Sequence, residues 1–151
     1  MTSGSPTSAE PQQTVTADVL LDNSAAVPLV LTSHDAHEAT VLALEGRTLG
    51  MSGHAWFEAY SVLTRLPPPA RRGPAEVAQL MAANFPATVH LGTDAARALS
   101  GWLAQHGVTG GSVYDALVGQ AAVEAGLPLA TRDRRAVDLY RRLGVTLELL
   151  P

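Results

Sequence analysis

Short apolar runs alternate with longer, partly apolar segments along the chain after a polar N-terminus. Runs of a few residues bounded by polar residues or glycine are typical of strands, and they occur at 19–21, 48–51, 88–91, 127–130 and 145–149. The longer segments predict helices over 24–31, 34–44, 54–66, 74–84, 94–106, 113–125 and 132–143. Because strands and helices alternate, we predict parallel βα units and a three-layer α/β/α fold with a mostly parallel central sheet.

Residues 1–17 are polar, contain proline and show no apolar period, so we predict a disordered tail there. The remainder, residues 18–151, has the length of one domain and contains no internal linker. No apolar run approaches the roughly 18 residues of a membrane span, and the N-terminus lacks the basic and apolar regions of a signal peptide. We therefore expect a cytoplasmic protein that does not associate with a membrane.

The chain has neither cysteine nor lysine, and all ten of its cations are arginines. The absence of cysteine excludes disulfides and thiol chemistry. The absence of lysine excludes Schiff-base and Walker-type phosphate chemistry, and it argues against a receiver-type phosphoacceptor domain, which would have a pocket lysine. The net charge of -4 disfavours a nucleic-acid partner. Five arginines nevertheless fall close together and predict a locally basic patch: Arg132, Arg134, Arg135, Arg141 and Arg142.

Four carboxylates occupy similar positions relative to the predicted strands. Asp22 closes the first strand, and Glu58 lies about one turn into the helix that follows the second. Asp115 is in the first turn of a helix, and Asp133 follows a strand and opens the next predicted helix. The carboxyl ends of parallel strands and the starts of the following helices collect at one edge of a sheet, where ligands bind. We therefore expect the four side chains to converge.

Each acid taken alone could instead be a helix-capping residue. Asp22 and Asp133 suit a helix start, and residues 112–115 resemble a capping box with Asp115 at its third helical position. Glu58 and Asp115 fit capping less well, because their neighbours are mostly apolar and no cation follows Asp115 four residues on. A hard divalent cation such as Mg²⁺ or Mn²⁺ would compensate several converging carboxylates, since it prefers oxygen ligands.

Four short segments resemble the four acidic motifs of PIN-domain VapC toxins in order, spacing and βα context. They are residues 20–24 (LLDNS), 56–58 (WFE), 112–117 (SVYDAL) and 130–133 (ATRD). The resemblance covers nearly everything after residue 17. It implies a PIN-like fold and an Mg²⁺- or Mn²⁺-dependent endoribonuclease, the toxin of a VapBC-type pair, which a VapB-type antitoxin holds inactive. It also implies a homodimer.

Carried over residue by residue, the resemblance makes Asp22, Glu58, Asp115 and Asp133 the catalytic and metal-binding acids. Ser24 matches a small hydroxyl residue near the first acid, and Thr131 lies in the fourth motif. Asn23 departs from the family, which often has Thr or Ser at that position. It stays a candidate supporting residue with Ser24 and Thr131, because an amide can still hydrogen-bond a carboxylate or a metal-bound water. Attack by a water molecule needs no 2′-hydroxyl, so the expected products carry 5′-phosphate and 3′-hydroxyl ends.

The arginines near the fourth motif have two interpretations. Arg132, Arg134 and Arg135 could contact RNA phosphates beside Asp133, or they could simply belong to a solvated helix face.

Several alternatives remain open at this point. The main one is a catalytically inactive PIN-like module that binds proteins or has a structural role. An aspartyl phosphatase is disfavoured, because Ser24 stands where its second aspartate would be. His34 and His37 have the spacing of zinc ligands without a supporting motif, so solvated histidines are the simpler interpretation. His54 lies one turn before Glu58 and could line the site. The nearby aromatics are core or dimer-interface candidates: Trp56, Phe57 and Tyr60.

Overall fold

The computed structural model describes residues 14–151. Its strands are β1 (Val19–Leu21), β2 (Leu49–Met51), β3 (Leu129–Thr131) and β4 (Leu147–Leu149). Its helices are α1 (Asn23–Val30), α2 (His37–Leu44), α3 (Ala55–Thr64), α4 (Pro74–Asn84), α5 (Thr93–Gln105), α6 (Ser112–Ala125) and α7 (Val137–Leu143). Residues 1–13 of the predicted disordered tail lie outside the described residues, so the domain boundary stays a prediction.

The four strands form one parallel sheet in the order β2-β1-β3-β4. Every residue of β1, β2 and β3 is buried, which explains why these strands are continuous apolar runs rather than alternating patterns. Strand β4 lies at an edge and is more exposed. The prediction of a mostly parallel α/β fold is therefore confirmed.

Two apolar clusters hold the helices in place. The larger one surrounds the sheet and includes Leu20, Met51 and Leu129. The smaller one joins α5, α6 and α7 through Leu99, Ala116 and Leu139. The acid-bearing helix α6 thus packs between α5 and α7. None of the described helices is long and apolar enough to cross a membrane.

The predicted strand at 88–91 is wrong in extent. This segment runs parallel to β2, but its only bridge pairs Val89 with Ser52. Thr88 prevents a longer ladder, because its Oγ1 accepts the N–H of Met51 at 3.0 Å in place of a backbone carbonyl. The approach to β2 is close at Gly50, where a Cβ atom would lie 2.2 Å from the carbonyl oxygen of Ala87.

The predicted helix at 132–143 begins only at Val137, after a turn. Asp133 causes the delay, because its Oδ1 accepts the N–H of Arg135 at 2.9 Å and holds the backbone in a local turn. The helix predicted from His34 likewise begins at His37, since the Nδ1 atom of His34 accepts the N–H of Ala36. Side chains that bond to nearby backbone groups thus shorten both helices at their N-terminal ends.

Candidate active site

The four predicted acids converge on one cavity of about 210 Å³, which we call the acidic cavity. Asp22 follows β1, Glu58 lies in α3, Asp115 is in the first turn of α6 and Asp133 lies between β3 and α7. The cavity is completed by Asn23, Ser24, Val118, Arg135 and Tyr140. Residues separated by more than 100 positions meet there because the parallel sheet brings the carboxyl ends of its strands to one edge.

Asp22 is the most tightly held of the four acids. It is 5% exposed, and its two carboxylate oxygens accept four hydrogen bonds. Ser24 Oγ donates to Oδ1 at 2.6 Å, whereas Thr131 Oγ1 and the Tyr140 hydroxyl donate to Oδ2 at 2.5 and 3.0 Å. The backbone N–H of Ala25 donates to Oδ1 at 3.3 Å. Burial raises the pKa of Asp22, and the hydrogen bonds counteract that rise by favouring the ionised form.

Ser24 also fixes the position of the fourth motif. Its Oγ accepts the backbone N–H groups of Arg132 at 2.8 Å and Asp133 at 3.1 Å. Thr131 Oγ1 accepts the N–H of Asp133 as well, at 3.1 Å. The two hydroxyl residues therefore connect Asp22 with the backbone at Asp133. The third candidate supporting residue, Asn23, lines the cavity, but its Oδ1 atom has no hydrogen-bond partner among the described residues.

Asp115 and Glu58 face the same cavity without such support. The pKa of Asp115 is raised to about 6, mainly by burial and further by the charges of Asp133, Glu58 and Asp22. Burial also raises the pKa of Glu58, with a further contribution from the charge of Asp22. Like charges held together in a half-buried cavity disfavour ionisation, so this cavity attracts positive charge.

Asp133 is the acid with a cationic neighbour. Arg135 Nε lies 3.3 Å from Asp133 Oδ1, but the Arg135 side chain is 93% exposed. An ion pair so exposed to solvent is weak, since water screens the attraction and the long side chain stays mobile. Arg135 is the one cation among the residues that line the cavity, and it therefore leaves most of the negative charge uncompensated.

The capping interpretation holds for Asp22 and fails for Asp115. Asp22 is the N-cap of α1 and lines the cavity at the same time. The capping box predicted at residues 112–115 is wrong: Gly111 is the N-cap of α6, and no side chain caps that helix. Ser112 is already helical, so its hydroxyl is not placed to satisfy the first turn. Capping therefore does not account for Asp115.

The model of the PIN domain family matches residues 19–142. This match covers most of the chain and includes all four acids and their supporting hydroxyls. The chain belongs to the PIN domain family.

Relatives within the family are close. Ribonuclease VapC27 of Mycobacterium tuberculosis is 46% identical over 125 residues, which is 83% of this chain and 91% of that protein. Ribonuclease VapC40 of the same species is 48% identical over 131 residues, or 85% of this chain and 96% of that protein. The resemblance to VapC-type ribonucleases that the four motifs indicated is thereby confirmed.

Solved structures of VapC proteins share the fold at low sequence identity. VapC20 of M. tuberculosis, described as a toxin that cleaves the sarcin–ricin loop, gives a TM-score of 0.61 at 17% identity. That match covers 80% of this chain and 94% of the solved one. VapBC2 from Rickettsia felis, bound to a DNA fragment from the promoter of the pair, gives 0.63 at 14% identity, over 88% of this chain and 98% of the solved one. The PIN-like form of the predicted fold is confirmed by these likenesses.

The potential ligands that line the acidic cavity suit a hard divalent cation. Four carboxylates line the cavity, and beside them the Oδ1 atom of Asn23 is buried without a hydrogen-bond partner among the described residues. Oxygen-only ligands of this kind favour Mg²⁺ or Mn²⁺. As the side chains lie, no three acidic or histidine side chains in the described part of the chain are close enough together to hold one ion. A cation held by three or more of these carboxylates would need Glu58, Asp115 or Asp133 to move towards Asp22.

His34 and His37, the two histidines with the spacing of zinc ligands, both contact the backbone. The Nδ1 atom of His37 donates to the carbonyl oxygen of Pro28 at 2.8 Å, and that of His34 accepts the N–H of Ala36. His54 lines a neighbouring cavity rather than the acidic one, although the two cavities share Glu58. The simpler interpretation of His34 and His37 as solvated helix residues holds only in part, because both are half-buried and His34 precedes α2.

Sequence reasoning missed Tyr140, whose ring is fully buried and whose hydroxyl donates to Asp22. Gly119 of α6 makes room for it, because a Cβ atom at that position would lie 2.9 Å from the Tyr140 ring. The available signal was a tyrosine on the apolar side of a short helix, since a buried tyrosine hydroxyl almost always needs a hydrogen-bond partner.

Proposed function

We propose that this chain hydrolyses RNA with a divalent cation held by Asp22, Glu58, Asp115 and Asp133, as the toxin of a toxin–antitoxin pair. The observation that carries the proposal is the convergence of four carboxylates from four separate segments on one cavity, in a chain of the PIN family. The ribonuclease names of the two M. tuberculosis relatives support RNA as the substrate.

When bound, Mg²⁺ or Mn²⁺ would supply a Lewis acid that activates water and stabilises charge on the phosphate. The protein supplies the geometry. Ser24, Thr131 and Tyr140 keep Asp22 in one orientation, so its oxygens are positioned before any ligand arrives. Such preorganisation reduces the entropy that would otherwise be lost on binding.

Asp115 and Glu58 have the complementary role of providing charge. Their raised pKa values show that each ionised form is costly in the empty cavity, and a cation removes that cost. Binding of the cation should therefore release protons near neutral pH, mainly from Asp115.

We also propose that the arginines beside the fourth motif contact RNA phosphates. Arg132, Arg134 and Arg135 line a cavity of about 500 Å³, together with Ser24, His34 and Asp133. This arginine cavity shares Ser24, Asp133 and Arg135 with the acidic cavity, so a phosphate bound there would lie next to the proposed cleavage site. The protein as a whole is acidic, and this local cationic surface supplies the attraction for RNA that the net charge does not.

Two protein partners belong to the same proposal. The neighbour from R. felis is a toxin–antitoxin pair, which supports a cognate VapB-type antitoxin for this chain.

A homodimer is proposed around Trp56, Tyr60 and the proline run at 67–69. The Trp56 and Tyr60 rings stack at 5.4 Å and are only half-buried, so a second copy could cover them. Light scattering at high micromolar concentration tests this, and a monomer there contradicts it.

The central experiment is cleavage of an RNA panel with Mg²⁺, Mn²⁺ or EDTA, followed by mapping of the ends. We expect cleavage only with a divalent cation, and products with 5′-phosphate and 3′-hydroxyl ends. The melting temperature should rise in millimolar Mg²⁺ or Mn²⁺, because an ion that binds the folded state alone stabilises it. Cleavage that persists in EDTA would contradict the metal site. If there is no cleavage and the melting temperature does not respond to metal, the alternative of an inactive PIN-like module is favoured.

A further inference from the structure

Four aromatic rings form an exposed surface beside the acidic cavity, and the proposed chemistry does not use them. We call this surface the aromatic platform; its members are His54, Phe57, His90 and Tyr114. His54 stacks on Tyr114 with ring centroids 5.0 Å apart and an interplanar angle of 16°. Phe57 lies 6.2 Å from His54 and 6.1 Å from His90. Three segments of the chain therefore contribute rings to one surface.

The platform is accessible to a ligand. Phe57 is 54% exposed and Tyr114 is 51% exposed, and His90 is exposed as well. A group of large apolar side chains exposed at one place indicates a binding surface, because such side chains stabilise a fold when they are buried in its core.

The platform is also adjacent to the proposed cleavage site. Tyr114 immediately precedes Asp115, and His54 is one helical turn before Glu58. A cavity of about 370 Å³ opens beside His54 and Phe57, and it shares Asn23 and Glu58 with the acidic cavity. Its lining further includes Ser61, Val62 and Arg65.

The three cavities follow one another across the surface. The acidic cavity shares residues with the aromatic one and with the arginine one, whereas those two share none with each other. The acidic cavity therefore lies between a surface of rings and a surface of guanidinium groups. A single strand of RNA offers both matching features, since its bases stack on aromatic rings and its phosphates pair with arginine.

We propose that the aromatic platform stacks an unpaired base of the RNA substrate next to the scissile phosphate, while the arginine cavity holds the backbone on the other side. This inference rests on the proposed ribonuclease function and adds a base-binding subsite to it. Stacking is possible only for a base that is not in a duplex, so the subsite selects single-stranded or looped RNA.

The test uses a short single-stranded RNA carrying 2-aminopurine, a fluorescent base whose emission is quenched by stacking, at successive positions. Titrating the full-length chain in EDTA measures binding without cleavage. We expect quenching at one or two adjacent positions, and none with the same RNA in a duplex. The Phe57→Leu variant should bind the single strand about tenfold more weakly and lose the quenching, because leucine keeps an apolar side chain without a ring face. Phe57→Tyr should retain both.

Leu42→Ala is the matched control, because Leu42 is a 72% exposed apolar residue of α2 that lines none of the three cavities. This control should leave RNA binding unchanged. Melting temperatures of all variants check that the fold is intact. Absence of quenching at every position with the wild-type protein overturns the inference, as does wild-type affinity of Phe57→Leu. Loss of self-association in Phe57→Leu without loss of RNA binding overturns it too, and assigns the platform to an interface between copies.

The proposed function fails separately from this inference. Wild-type cleavage with identical RNA binding by Phe57→Leu removes the base subsite and leaves the ribonuclease proposal standing. Quenching without cleavage under any metal condition keeps the subsite and removes the ribonuclease proposal.

Discussion

Asp115 and Glu148 are both partly buried carboxylates, but their surroundings move their pKa values in opposite directions. Glu148 of β4 receives two hydrogen bonds from the guanidinium of Arg47, at 2.7 and 2.8 Å, and that pairing lowers its pKa. Asp115 faces three other acids in the acidic cavity, and its pKa is raised to about 6 by burial and by their charges. Arg135 offers only partial compensation there.

The two sites differ in the residues that surround the acid: Glu148 lies beside a guanidinium group, and Asp115 lies beside three other carboxylates. The Arg47–Glu148 pair has its charge balanced within the chain and serves stability. The acidic cavity has an excess of negative charge that Arg135 compensates only in part, so a bound cation would stabilise it. Retaining such repulsion is unfavourable for folding, and sites of this kind are characteristic of ligand binding and catalysis.

Asp115→Asn should give the largest effect on this comparison. We expect cleavage to fall about a hundredfold or more, because the neutral amide removes a charge that the cation needs. Stability without metal should stay the same or rise by at most about 1 kcal/mol, since one member of a repelling group is gone and solvent already screens part of the repulsion. Melting curves with and without Mg²⁺, beside a cleavage assay, measure both quantities.

Asp138→Asn is the matched control, because Asp138 lies on α7 with its side chain 89% exposed and outside the cavity. This control should leave cleavage intact. An Asp115→Asn protein that is less stable without metal and fully active would show that Asp115 is structural, and the contrast with Glu148 would then disappear.

The second-largest effect is expected when the stability of the metal-free protein is measured against pH, because the two sites should respond with opposite signs. The folded-state pKa values of Asp22, Glu58 and Asp115 are raised, so the stability they contribute is present below their unfolded values, near pH 4. It is lost as pH rises through the folded-state values, which for Asp115 is about 6. Glu148 has the opposite sign: its contribution is present above its unfolded pKa and is lost in acid.

Three acids outweigh one, so we expect the melting temperature of the metal-free protein to fall between about pH 4.5 and 7. Excess Mg²⁺ should reduce that fall, because the cation binds the ionised carboxylates. Differential scanning calorimetry in EDTA and in Mg²⁺ makes the measurement. A melting temperature that rises with pH over this range in EDTA would argue that the cavity acids are not under mutual repulsion.

Glu148→Gln should have the smallest effect. The pair with Arg47 is partly exposed, so we expect a loss of about 0.5 kcal/mol at neutral pH and unchanged cleavage. Glu76→Gln serves as the control, because its pair with Arg72 is still more exposed and should contribute less. Denaturant unfolding of the two variants tests this order. A change in cleavage on replacing Glu148 would mean that its charge is felt in the acidic cavity after all.

Much of the fold followed from the apolar pattern, because buried parallel strands leave continuous apolar runs and glycines stop the helices. The helices predicted over 113–125 and 132–143 stop directly before Gly126 and Gly144, and these glycines end α6 and α7 in the left-handed conformation. The convergence of the acids was predictable for a related reason: strand ends in a parallel sheet meet at one edge.

The parts that sequence did not predict depend on contacts between distant residues. The late start of α7 follows from the turn at Asp133, whose backbone is held by Ser24 more than 100 positions away. Nothing in the local sequence distinguishes Tyr140 from other helix residues. Its position in the site depends on Asp22, which follows β1 and accepts a hydrogen bond from the Tyr140 hydroxyl. The incomplete strand at 88–91 depends on a threonine hydroxyl that replaces a carbonyl in the ladder. No local period reveals bonds of this kind.

The hydrogen bonds that join Ser24 and Asp22 to Thr131 and Tyr140 also link the assembly of the site to the folding of the whole sheet. Two of the three side-chain donors of Asp22 come from residues more than 100 positions later in the chain, and Ser24 holds the backbone at Asp133 over a similar separation. Contacts between residues so far apart form more slowly than local ones, because a long loop must close before they contribute. The four acids therefore come together only when β3 and α7 have docked on β1, and the cavity is a property of the completely folded protein.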